Sequence, residues 1–137
     1  MKKILSILLI ASTITLFSCK KKDVVSYPLV GVWQGFYGSG TNPPSIPFTV
    51  VFNSDGKILT RSKYNNSAMP PQLVEHVGTG TYTINGATIS FTYTLPDVES
   101  SNSFNFTCTY NSQSNTMTGT FGTGISTTGN TFNVTKQ

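Results

Sequence analysis

The chain has 137 residues, room for one domain and not for two joined by a linker. Only 10% of them are charged, against about 25% in an average soluble domain, and Asn, Ser, Thr and Gly fill the difference, a mix that excludes coiled coils and charged helix bundles. The formal charge of +4 is local: Lys2 and Lys3 carry half of it, Lys20, Lys21 and Lys22 with Asp23 the other half, and the neutral remainder excludes a nucleic-acid footprint.

The amino end reads as a secretory leader. Lys2 and Lys3 form its basic start, and Ile4 to Phe17 is a mostly apolar stretch broken by Ser6, Ser12, Thr13 and Thr15. That stretch is too short to span a bilayer, which takes about 20 apolar residues in a helix. It ends in Leu16-Phe17-Ser18-Cys19. This resembles the lipobox of bacterial lipoproteins: an aliphatic residue, a small residue, Gly, Ala or Ser, then Cys. Leu16, Ser18 and Cys19 match, and Phe17 stands where a small residue is usual.

The resemblance implies a signal peptide over 1–18, cleavage before Cys19, a diacylglyceryl thioether on its sulfur, and a fatty acyl chain such as palmitate on the new amino end. Sulfur is the nucleophile such an attachment needs. Two or more chains anchor stably where one does not, each buried CH₂ contributing about 0.8 kcal/mol. Residues 19–28 are then the lipidated cysteine and its tether. Lys20 follows the cysteine where an Asp would retain a lipoprotein in the inner membrane, which points to the outer membrane, on its periplasmic side or at the cell surface. The other cysteine is Cys108, so no intramolecular disulfide is available. Its alternation with Phe104, Phe106 and Tyr110 predicts a buried, inert thiol.

Residues 29–137 hold the domain. Short runs alternate apolar residues with Thr, Ser and Asn, and Gly and Asn punctuate them, which predicts antiparallel sheet. The strands fall at about 29–37, 46–53, 57–63, 76–84, 87–95, 103–110, 116–127 and 131–136. Turn chemistry sets four registers. Asn53-Ser54-Asp55-Gly56-Lys57 suits a type I turn with a glycine bulge and pairs Phe52 with Ile58. Asn85-Gly86 suits a type I′ turn and pairs Ile84 with Ala87, Tyr82 with Ile89 and Gly80 with Phe91. A loop over 112–115 pairs Tyr110 with Met117, Cys108 with Gly119 and Phe106 with Phe121. Gly129-Asn130 pairs Thr127 with Phe132 and Ile125 with Val134.

All four turns keep the apolar residues on one face, with Ile46, Phe48, Val50, Ile84, Phe91, Tyr93 and Phe104 among them; a one-residue slip would move each set to solvent. No helix remains to cover that face. The predicted fold is therefore all-β, an antiparallel up-and-down meander of about eight strands closed into a barrel, with a two-sheet sandwich as the alternative.

Gly31-Val32-Trp33 on the first strand, followed by a meander, resembles the Gly-x-Trp opening of the lipocalin and avidin superfamily. More narrowly, the Asp55-Gly56 hairpin and the closing Thr135-Lys136 are similar to those of short lipocalin-like domains of envelope lipoproteins. The late-strand arginine that stacks on the tryptophan in lipocalins has no counterpart, Arg61 being the single arginine, and the carboxy-terminal helix is missing. Trp33 is expected to plug the closed end of the barrel.

In a meander alternate connections share an end. The tight ones at 54–56, 85–86 and 112–115 mark a closed end, and 38–45, 64–75, 96–102 and 128–131 mark a rim, where function tends to sit. The rim candidates for contact with a small apolar ligand are Tyr37, Tyr64, Met69, Leu73, His76 and Tyr93. Catalytic clusters are missing. There is no Cys-x-x-Cys, a single histidine builds no multi-histidine metal site, and Glu75 and His76 point to opposite faces of a strand. Asp97 and Glu99 share strand parity but sit in a Pro- and Ser-containing loop. The expectation is a non-enzymatic, cofactor-free envelope lipoprotein, held to the membrane through Cys19. It binds an apolar or amphipathic small molecule at its rim or, with a filled barrel, contacts another envelope protein or a polysaccharide.

Overall fold

The computed structural model describes residues 28–65, 72–96 and 103–137. The leader, Cys19, the tether, and Met69, Asp97 and Glu99 lie outside the described residues. Eight strands follow in chain order: β1 (Gly31–Tyr37), β2 (Ile46–Phe52), β3 (Lys57–Asn65), β4 (Leu73–Asn85), β5 (Thr88–Thr94), β6 (Ser103–Asn111), β7 (Thr116–Thr123) and β8 (Asn130–Lys136). Each pairs antiparallel with its chain neighbour, and β8 returns to pair with β1, so the sheet is a closed barrel and not a sandwich. Closure satisfies both needs of this sequence. It buries the single apolar face, and it leaves no strand edge unpaired.

Two predicted registers are found as written. Phe52 faces Ile58, and Gly56 takes φ +82° in a turn where its amide donates to the Asn53 carbonyl oxygen at 3.3 Å. Tyr110 faces Met117, Cys108 faces Gly119 and Phe106 faces Phe121. The other two differ. Asn85 pairs with Thr88, Tyr82 with Phe91 and Gly80 with Tyr93, a slip of two residues that preserves the faces. The loop is Gly86-Ala87, with φ +59° at Gly86. A turn of this kind asks for a left-handed residue only at its first position, whereas an Asn-Gly type I′ turn would impose one on Asn85 as well.

The last hairpin departs further. β7 ends at Thr123, Gly124 turns the chain at φ +66°, and Val134 pairs with Met117 and Phe132 with Gly119. Ile125, expected inside, is fully exposed. The position of β8 is set by closure against β1, where Val134 meets Gly35 and Phe132 meets Tyr37. At Gly35 on this seam a methyl group would overlap the Asn133 carbonyl oxygen.

The core holds most of the predicted face. Ile84 is the exception, exposed beside the tight Gly86 turn, and Ile46 is half-buried where β2 begins at the rim. Leu29 and Leu95 join the core from just outside β1 and β5, on the inward parity of the predicted segments 29–37 and 87–95.

Candidate functional site

The barrel's two ends differ as the loop lengths predict. The connections 53–56, 86–87 and 112–115 close one end, while the described connections 38–45 and 124–129 and the ends of β3 and β5 lie at the other. At the closed end Trp33 is fully buried and donates its indole N–H to the Leu29 carbonyl oxygen at 2.8 Å. Tyr110 and Phe52 pack edge-on against it at 5.7 and 6.4 Å. The Lys136 ammonium lies 5.9 Å from the indole centroid and bonds the Pro28 carbonyl oxygen. A lysine on the last strand thus places a cation at the Trp33 ring, where the sequence reading looks for an arginine.

The middle of the barrel is filled by aromatic rings. Phe91, Phe106 and Phe121 are direct cross-strand neighbours on β5, β6 and β7, and their rings stack at 4.5 and 4.6 Å, tilted by 13° and 6°. The ring spacing is close to the distance between adjacent strands, so the backbone ladder sets it. Phe48 reaches across the bore to stack on Phe106 at 5.5 Å, and Phe132 meets the same ring edge-on at 5.0 Å. The inward wall of the barrel is thus bridged from β2 to β6.

Of the rim candidates, the structure gathers three. Tyr93 and His76 are buried and Tyr37 half-buried. Tyr37 packs on Phe48 and Phe121, and Tyr93 on Phe48 and Phe104. Burial first, and then the neighbouring Tyr37 phenol, hold the Tyr93 hydroxyl far above the usual tyrosine pKa. His76 lies opposite Ser62 across the β3–β4 pair, both buried, and Thr60 sits one inward step below, its hydroxyl buried with no hydrogen-bond partner among the described residues. Gly78 makes room here, because a methyl at that position would press on the Thr60 hydroxyl and the Tyr93 ring at 2.5 Å. Leu73 does not join this group. It has outward parity on β4 and is largely exposed, and Tyr64 is placed on β3 opposite Val74. Cys108 is buried mid-strand with its thiol pushed up to about 12 by burial, so it is a packing residue and not a nucleophile. Among the described residues no cluster of His, Cys, Asp and Glu is fit to hold a metal ion.

A feature missed in sequence lies on the outside. An open depression of about 680 Å³ runs over the outer wall of β1 to β4, lined by Gln34, Phe36, Pro47, Thr49, Arg61 and Glu75 among others. These outward positions alternate with core residues, so in sequence they look like any wet face. Register shows what they build: Gln34 faces Thr49 and Thr49 faces Arg61, giving one row across three strands, and Phe36 faces Pro47 at its rim side. Searches against family models, curated proteins and solved structures found no match to this chain, so geometry and chemistry carry the functional reading.

Proposed function

We propose that this chain is a non-enzymatic binding lipoprotein of the bacterial envelope, anchored through acyl groups on Cys19, that contacts its partner with the outer wall of β1–β4. The observation that carries the reading is the contrast between the barrel's bore and that outer wall. Inside, stacked rings bridge the bore. Outside, β1–β4 frame an open depression with an exposed aromatic ring and three ionic side chains. A site for a small ligand normally shows the reverse, a concave apolar interior with a few polar groups.

Two experiments test it. Metabolic labelling with a fatty-acid analogue marks the full chain and not a Cys19→Ala variant, which partitions to the aqueous phase. A photo-crosslinker at Val77, which faces Arg61 beside the depression, captures a partner in intact envelopes, whereas one at Thr107 on the opposite wall does not. Equal capture at both positions, or none at Val77, would refute the choice of wall. A second reading is favoured by the gathering of Tyr37, His76 and Tyr93 at the loop-rich end: a small amphipathic molecule held at the rim. Native mass spectrometry of the purified chain decides between them by the presence of a co-purified small molecule.

A further inference from the structure

The barrel's outer surface is divided in chemistry. Among the described residues, Asp55, Lys57, Arg61, Lys63 and Glu75 all lie on the β2–β3 hairpin, β3 and β4, and Lys136 is the one ionic residue elsewhere. The outer wall of β5 to β8 is Thr, Ser and Asn: Thr88, Thr109, Thr118 and Asn133 form one row across it, and Ser90, Thr107, Thr120 and Thr131 the next. Among the described residues, the depression is thus cut into the charged sector of the barrel.

We infer that the depression binds an acidic glycan, a chain of sugars carrying carboxylates. This rests on the outer-wall reading above and names the partner's chemistry. Four observations point to it. The depression carries Arg61 and Lys63 against Glu75, a net positive site. Arg61 makes a long ion pair to Glu75 at 3.9 Å with both side chains about half exposed, so its planar donor fork is open to a carboxylate. Phe36, 46% exposed and set against Pro47, offers an apolar platform for the C–H face of a sugar ring. Gln34 and Thr49, in line with Arg61, offer donors and acceptors for ring hydroxyls along a row of about 10 Å, two strand spacings, the reach of two linked pyranoses.

The fold also argues against the competing occupant. An extended acidic peptide is commonly held by adding a strand to a sheet edge, and a closed barrel has no edge to offer. Such a peptide would have only the charges to hold it.

The test is isothermal titration of the full-length chain in detergent with trigalacturonate, alongside the neutral trisaccharide maltotriose and tetraglutamate. The expected result is saturable binding of trigalacturonate that falls with added salt, as an exposed ionic contact must. Arg61→Gln weakens it about tenfold or more, Phe36→Ser several-fold, and Thr107→Val on the far wall leaves it unchanged; the three variants keep the parent's melting temperature because all the changed side chains face outward. Equal binding of tetraglutamate would reduce the site to a general anion contact and overturn the glycan assignment. So would equal binding of maltotriose, insensitivity to Arg61→Gln, or no saturable binding at all. Crosslinking at Val77 separates the two levels. Capture there with no trigalacturonate binding removes the acidic glycan and leaves the outer wall, while silence there removes the wall itself.

Discussion

Replacing Phe106 by alanine measures how full the barrel is. Phe106 is 1% exposed and its ring centroid lies 4.5 Å from Phe91, 4.6 Å from Phe121, 5.0 Å from Phe132 and 5.5 Å from Phe48. A Phe→Ala change in a core costs about 3–5 kcal/mol, the spread reflecting how far the site collapses. Here collapse is restrained, because the neighbours are strands tied into a closed ladder and their rings hold one another in register. The loss should fall in the upper half of that range, about 4–5 kcal/mol, a large part of the 5–15 kcal/mol that domains of this size possess. Phe106→Leu keeps most of the volume and loses the ring pairs, so it should cost about 1–2 kcal/mol. Urea unfolding followed by the fluorescence of Trp33, the single tryptophan, reads both, with an unchanged denaturant slope. A loss below about 2 kcal/mol for the alanine variant would mean that the rings have slack between them. The bore would then have room for a ligand, and the preference for the outer wall would fail.

Lys136→Met should lower stability by about 1 kcal/mol by removing the cation over Trp33, and Lys136→Arg should restore it, as read from the same urea midpoints. Iodoacetamide at pH 8 should leave Cys108 unlabelled in the folded chain and label it in urea; labelling of the native state would refute its burial. The same burial makes stability fall with alkali. The unfolded thiol ionises near 9.0 and the folded one at about 12, so stability present below pH 9 drains away as pH rises towards 12, with Tyr93 adding in the same direction. Cys108→Ala should flatten part of that slope in urea midpoints taken from pH 8 to 11. Asn85→Thr should be nearly neutral because Asn85 is paired within β4, while Gly86→Ala should cost about 1 kcal/mol at a left-handed position, and the reverse order would favour the Asn-Gly turn.

The barrel was legible where local chemistry decides. Asp55-Gly56 and the 112–115 loop fixed their registers because turn chemistry there sets the loop length, with Gly56 and Asn115 at positive φ. Asn85-Gly86 misled by two residues because a shift of that size leaves every face unchanged, so burial supplies no check. The end of β7 was illegible for another reason. Thr, Ser and Gly continue past Thr123 without a break in pattern, and what stops the strand is the demand of β8 for β1, a contact between distant parts of the chain. The rim group was visible by parity, as His76 and Tyr93 show, but its packing against Phe48 was not. The depression could not be seen, since Phe36, Thr49 and Arg61 become neighbours only once three strands are aligned.

The seam between β1 and β8 also governs when the molecule can exist. Each other strand finds its partner a short loop away, but Trp33 must wait for Lys136 before its strand is zipped on both sides. Non-local pairings of this kind are slow to form, because the entropy of bringing distant segments together is spent before any contact rewards it. Until then a half-made sheet exposes its ring-lined face and two raw edges, the state most prone to aggregate. Variants that slow closure lengthen that vulnerable interval and should be lost to proteolysis before they are lost to unfolding.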